Sequence, residues 1–238
     1  MNSQLPTPNA QRVRGTQPRL DYAAYRSTLK RAPSQSAIHV PANHSEIDVP
    51  VYSWGDVAAG ENDLTRQHAD EPQGQRIVVA GRVIDESGHP VRGALIEVWQ
   101  ANAGGRYRHG NDNHPAPLDP NFTGAGRVVT DDEGRYQFIS IKPGAYPWRN
   151  HENAWRPAHI HFSLFGQAFV QRLVTQMYFP GDPLLAEDPM YNCVPDERAR
   201  KRLISRFELS LTRPEWALGF SWNIVVSGPD STPFEGRV

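Results

Sequence analysis

The sequence predicts a mainly β protein: an antiparallel β-sandwich with long functional loops, an extended N-terminal arm and one or two short helices. Three observations carry that expectation. Runs rich in β-branched and aromatic residues recur at short intervals from Gln75 onward. Turn-forming clusters such as SGHP (87–90) and TDDEG (130–134) separate neighbouring runs, as hairpin-connected strands require. Many of the 19 glycines and 21 prolines gather in 101–126 and 142–158, where long loops replace tight turns.

The elements follow in order. Residues 1–74 are rich in Pro, Ser, Asn, Gln and charge, with isolated aromatics at Tyr22, Tyr25, Tyr52 and Trp54. Such a stretch makes poor core, and its scattered rings suit an extended arm lying on another surface. We expect an arm over 1–74, docked on a partner chain, and a catalytic sandwich over 75–238. Within the arm, DYAAYRSTLKRAP (21–33) predicts a helical turn or two, ended by Pro33. Strands are expected in QRIVVAGRVID (75–85), GALIEVWQA (93–101), RYQFISI (135–141), HIHFSLFG (159–166), QRLVTQMYF (171–179), RFELSL (206–211) and FSWNIVVSG (220–228). PDERARKRLISRF (195–207) reads as a peripheral helix, opened by proline and acids and closed by basic residues.

Composition narrows the function. Across 238 residues, 25 Lys and Arg balance 26 Asp and Glu, so no broad field favours nucleic acid or an anionic membrane. No run approaches the roughly 18 apolar residues of a membrane span, and the N-terminal stretch lacks the apolar core of a signal peptide. A cytoplasmic location is the expectation. The single cysteine, Cys193, has no second thiol with which to form an internal disulfide and reads as a partly buried structural residue.

The chemistry concentrates in WRPAHIHF (155–162). On a strand, alternate side chains share a face, so His159 and His161 project together from Cα atoms roughly 6.6 Å apart. That spacing suits two ligands of one metal ion, and equally two histidines satisfied by carbonyls or water. Nearby there is no further cysteine, no HExxH and no conspicuous carboxylate. Two loop tyrosines stand out instead: Tyr107 in QANAGGRYRHGND and Tyr146 in IKPGAYPWRN. Each also fits an amphipathic rim residue with a hydrogen-bonded hydroxyl. Phenolate is a hard donor, and with a free pKa of about 10 it ionises at neutral pH only beside a strong charge such as a ferric ion. His109 and His114 lie near Tyr107 in sequence and read as loop residues.

The stretches GRVIDESGHPVRGALIEVWQANAGGRYRH, LDPNFTGAGRVVTDDEGRYQFISIKPGAYPWRN and WRPAHIHFSLFG resemble the intradiol ring-cleaving dioxygenases, in particular the β chains of the protocatechuate branch. The resemblance runs from about Gln75 to Pro183 and, more loosely, to the arm around Tyr25 and the last strand. It implies one non-haem Fe(III) per chain, held by Tyr107, Tyr146, His159 and His161. It also implies that a catechol chelates the metal, displaces Tyr146 and leaves Tyr107 bound, and that Arg156 stabilises charge developing on the substrate. Tyr25, Trp148 and Gln176 would lie near the substrate, with a pocket wall around Met190. The implied reaction uses O2 to open the ring between its hydroxylated carbons, protocatechuate giving 3-carboxy-cis,cis-muconate. The irregular arm, in place of a helical dimerisation region, points to the type in which a related α chain completes a hetero-oligomer. The segment PLLAEDPMYNCVPDE (183–197) departs from the β-chain pattern and leaves the ring substituent open, so a sulfonated, hydroxylated or unsubstituted catechol is the alternative substrate.

Two other classes compete. A non-catalytic β-sandwich binding module would carry the same strands without paired tyrosines and H-x-H. A zinc hydrolase using His159, His161 and either His109 or His114 would need a carboxylate base and an open position for water.

Overall fold

The computed structural model describes residues 15–35, 57–149, 152, 155–166 and 169–234. Tyr52 and Trp54 of the expected arm fall outside these residues.

Two sheets face each other. In the first, β1 (Arg76–Ile84) pairs antiparallel with β4 (Arg135–Ile141) on one edge. On its other edge it pairs in parallel with β10 (Leu218–Ser221) and then β11 (Ile224–Val225), while β9 (Arg206–Phe207) extends the sheet beyond β10. The second sheet is antiparallel throughout, in the order β3 (Ala125–Val129), β2 (Leu95–Trp99), β7 (His159–Gly166), β8 (Phe169–Tyr178). A two-residue ribbon of β5 (Tyr146–Pro147) and β6 (Trp155–Arg156) sits apart from both. The α-helices are short: α1 (Thr28–Arg31), α2 (Pro189–Asn192) and α3 (Glu197–Lys201). Among the described residues no helix is long and apolar enough to cross a membrane.

Period-two alternation builds the core. Ile77 and Val79 of β1, Phe138 of β4, Ile96 and Val98 of β2, and Ile160, Phe162 and Leu164 of β7 turn into one cluster between the sheets. Phe162 meets Phe138 at 5.8 Å and Trp222 at 4.8 Å between ring centroids. Each such ring, fully removed from water, contributes roughly 1.5–3 kcal/mol, so this interface dominates the stability of the sandwich.

Several elements differ from the sequence expectation, each for a physical reason. β3 is not among the expected strands; it exists through pairing with β2 from Leu95 to Trp99. The helix expected over 195–207 is realised only at Glu197–Lys201, capped by Asp196, whose carboxylate accepts from Ala199 N at 2.8 Å. Beyond it Leu203 O and Ser205 N bond to the Tyr178 backbone, both at 2.8 Å, and this tertiary pairing ends the helix. In 206–211 the strand stops at Phe207, and Leu209–Leu211 forms a 3-10 turn capped by Glu208. The run 220–228 is interrupted where the Trp222 carbonyl packs onto Gly81, at a spot where an added Cβ would lie 1.7 Å from that oxygen.

Residues before Gln75 also pack against the sandwich. Leu64 is fully buried in the inter-sheet core and its N–H donates to Ile139 O at 2.9 Å. Glu61 grips Arg127 of β3 through two hydrogen bonds of 2.6 and 2.9 Å. Glu61 and Leu64 are thus packed with the sandwich. Residues 15–35 also lie on the chain's own surface, with Arg19 N donating to Cys193 O at 2.8 Å and Asp196 N to Gly15 O at 2.9 Å. Cys193 is buried, its thiol 3.1 Å from Met190 O.

Candidate metal centre

Strand register makes the floor of the site. With Ile160, Phe162 and Leu164 turned into the core, His159 and His161 occupy the opposite face of β7. Cross-strand pairing puts His161 between Trp99 of β2 and Gln176 of β8, and His159 opposite Tyr178. The His161 ring stacks parallel on Trp99 at 4.8 Å, and the two imidazoles lie 4.8 Å apart.

Loops bring the tyrosines over this floor. Gln100, at the end of β2, donates to Ile141 O at 2.7 Å and accepts from Ser140 Oγ at 2.7 Å, tying the start of one loop to the start of the other. Asn102 holds both: its side-chain oxygen accepts from Gly104 N and Arg106 N, each at 2.9 Å, and its carbonyl accepts from Gly144 N at 3.0 Å. The loops touch so closely that a Cβ on Gly105, whose φ is +77°, would sit 2.1 Å from Ala145 O. Glycine alone tolerates both the conformation and the contact. Asp112 accepts from Tyr107 N at 2.7 Å, and Tyr146 is set by pairing with Arg156 across the β5–β6 ribbon. The outcome is a cluster of four neighbouring rings. Tyr107 meets Tyr146 edge-on at 5.1 Å and His161 at 6.4 Å, and Tyr146 meets His159 at 5.4 Å.

Arg156 lies beneath them, 1% exposed. Its Nη2 donates to Gln176 Oε1 at 2.6 Å, Asp188 Oδ2 at 2.9 Å and Tyr178 OH at 3.0 Å. Its Nη1 faces Tyr146 OH at 3.2 Å and His159 Nε2 at 3.0 Å. Burial opposes the guanidinium charge, but the Asp188 carboxylate, with Tyr146 and Tyr178, outweighs it and raises the pKa well above its ordinary value. Burial pushes His159 the other way, and the charges of Arg156 and His161 add to it, so the imidazole is held neutral. His159 Nδ1 lies 2.7 Å from Pro157 O, where it donates its proton and leaves the Nε2 lone pair facing the tyrosines.

The remaining sequence-predicted residues fall around this cluster. Trp148 lies 5.1 Å from the Arg156 guanidinium and meets Tyr25 of the arm edge-on at 5.0 Å. Met190 Sδ accepts from Gln176 Nε2 at 3.5 Å. His109 is exposed, and His114 meets Trp155 at 6.0 Å, outside the four rings. Sequence reasoning missed Asp188, Tyr178, Trp99 and Asn102. Alternation along β8 would have found Tyr178, two residues after Gln176 on the same face. Nothing local marked Asp188, whose partner is distant in sequence.

The donor chemistry fits a hard, highly charged ion. Among the described residues no group of three or more His, Cys, Asp or Glu is arranged to hold a metal, so a third histidine does not complete the zinc alternative. What converges is two imidazoles and two phenols. Phenols need a strong cation to ionise: Tyr136, buried away from any charge and donating to Trp222 O at 2.6 Å, has its pKa pushed up instead.

Residues 47–228 match the family described as "Dioxygenase" and residues 10–43 the family described as "Protocatechuate 3,4-dioxygenase beta subunit N terminal". The chain belongs to the intradiol dioxygenase family, whose members are in general iron-dependent. Within it, the chain is 59% identical to the protocatechuate 3,4-dioxygenase β chain of Burkholderia cepacia over 89% of its own length and 90% of that protein's. It is 28% identical to the corresponding α chain of Pseudomonas putida over 75% of its length and 84% of the relative's. The hydroxyquinol 1,2-dioxygenase structure from Pseudomonas putida DLL-E4 shares the fold, with a TM-score of 0.54 at 22% identity, covering 84% of this chain and 69% of that one.

Proposed function

We propose that this chain is the iron-bearing subunit of a two-chain enzyme that uses O2 to open protocatechuate between its hydroxylated carbons, giving 3-carboxy-cis,cis-muconate. The convergence of Tyr107, Tyr146, His159 and His161 carries the reading. The 59% identity to a protocatechuate 3,4-dioxygenase β chain supports the substrate, and the similarity to α chains supports a related partner.

The two phenolates and the two imidazoles would hold one Fe(III) per chain. Ferric iron bound there supplies Lewis acidity, which draws charge from a catecholate and prepares its ring for O2. Two phenolates with a solvent hydroxide would cancel the three positive charges, sparing the buried site a large desolvation cost. The chain's own residues then divide the work. Tyr146 would yield its place to the substrate and take up a catechol proton, becoming a neutral phenol whose oxygen accepts a hydrogen bond from Arg156 Nη1, 3.2 Å away. Tyr107 stays as the constant anionic donor. The same guanidinium stabilises negative charge developing on the ring, as a preorganised cation does. Trp148, Tyr25 and Gln176 line the substrate space, and Met190 forms a wall that selects the ring substituent.

The test is co-expression with the α chain, followed by metal analysis and steady-state assays on protocatechuate, catechol and a sulfonated or hydroxylated catechol. The expected result is about one iron per α/β pair, a phenolate-to-iron colour that changes when a catechol is added without oxygen, and the highest kcat/KM on protocatechuate. Stoichiometric zinc with no visible band in iron-replete protein overturns the reading. A higher kcat/KM on another catechol keeps the chemistry and changes the substrate.

A further inference from the structure

We infer that Asp188 is a positioning residue for ring opening: its buried carboxylate aims Arg156 at Tyr146 and His159 and, through the same group, docks the loop that carries Met190. The inference rests on the reading above and extends it to a residue with no part in metal binding.

Asp188 is fully buried, and the ion pair it forms with Arg156 is closed to water at both ends, with side-chain exposures of 0% and 2%. Its Oδ2 accepts from Arg156 Nη2 at 2.9 Å and from Tyr178 OH at 3.0 Å; its Oδ1 lies 3.4 Å from Arg156 Nε and accepts from Met190 N at 3.0 Å. The guanidinium is a rigid fork. With Nε and Nη2 committed to Asp188, Gln176 and Tyr178, the geometry leaves Nη1 to face Tyr146 and His159. Gln176 carries no charge and Tyr178 donates its hydroxyl proton to Asp188, so the Asp188 carboxylate is the ion-pair partner that makes burial of this cation tolerable.

The second half of the inference comes from Oδ1. Asp188 caps α2, and the residue it caps, Met190, meets Gln176 through its sulfur at 3.5 Å. The wall and the guanidinium thus share one anchor, and moving the carboxylate moves both. A group that only held the fold together would affect turnover without regard to whether Arg156 is present.

A double-mutant cycle in the α/β protein distinguishes the two cases. Wild type, Asp188→Asn, Arg156→Ala and the double variant are compared for kcat and KM on protocatechuate, iron content and thermal midpoint. Asp188→Asn is expected to keep its iron and lose about 100-fold in kcat, the scale of a small misplacement of a catalytic group. In the Arg156→Ala background the same change is expected to matter less than about twofold, since coupled residues are not additive. Equal losses in both backgrounds, or wild-type kcat for Asp188→Asn, overturn the inference. Should Asp188→Asn fail to fold while the double variant folds, the uncompensated Arg156 charge is the cause and the pairing stands; failure of both makes Asp188 an independent structural residue and overturns it. Lack of wild-type turnover on protocatechuate would overturn the substrate reading alone, because coupling of the thermal midpoints needs no substrate.

Discussion

Tyr107 and Tyr146 stand perpendicular, ring centroids 5.1 Å apart, although they belong to different loops that leave different sheets. Their meeting depends on Gly105 and Gly144, at each of which an added Cβ would collide with a backbone oxygen of the facing loop, at 2.1 and 2.4 Å.

Gly105→Ala is therefore expected to separate the tyrosines. A left-handed alanine costs roughly 1–2 kcal/mol before the collision with Ala145 is counted. The sandwich should keep its far-UV circular dichroism while iron content and colour fall together. Full iron loading of this variant would show that the loops tolerate separation.

His159→Ala and His161→Ala should each remove the metal with little effect on the sheet, because the residues that hold the sheets together, Ile160 and Phe162, point the other way. Metal analysis is expected to give well under one iron per chain, with thermal midpoints within a few degrees of the wild-type apoprotein, the scale of about 1 kcal/mol in a domain of this size. Either variant retaining full iron and rate would remove that histidine from the site.

The two tyrosines should differ when changed to phenylalanine. The Tyr146 hydroxyl accepts from Arg156 Nη1 at 3.2 Å, a cation placed to receive the departing phenolate. Tyr146→Phe should bind iron at rest with altered colour and give an anaerobic substrate complex close to wild type. Tyr107→Phe should lose the phenolate charge-transfer band from that complex. The reverse pattern of spectra would exchange the two roles.

A pH dependence follows from the clamp between residues 57–74 and β3. Arg127, hydrogen-bonded to Glu61, holds the Glu61 carboxyl below the usual carboxylate range. A lowered folded pKa contributes stability that is present above the unfolded value, about 4.3, and is lost as pH falls through the folded one. Glu61→Gln should thus cost up to about 1 kcal/mol near pH 7, discounted for the partial exposure of the pair, and clearly less near pH 3. Denaturant melts of both proteins at the two pH values check the sign. An equal cost at both would mean that shape, and not charge, holds the clamp.

The strands β1, β4, β7 and β8, the H-x-H pair and both loop tyrosines were legible from the sequence, because each is a local pattern: period-two alternation, turn residues and donor types at fixed spacing. The resemblance carried by those same stretches supplied the ligand set and the expected roles. The burial of Leu64 was not legible, because it is a lone apolar residue among polar neighbours and only the gap between the sheets shows that it fills the core. β3 was missed for a similar reason, since its strand is made by the partner strand and not by its own propensity. Asp188 was invisible because its meaning is electrostatic and non-local. A carboxylate between Glu187 and Pro189 reads as a turn residue until the fold buries a guanidinium 2.9 Å away. Patterns along the chain record what a residue can do with near neighbours; burial, charge compensation and the approach of two backbones arise only when the chain closes on itself.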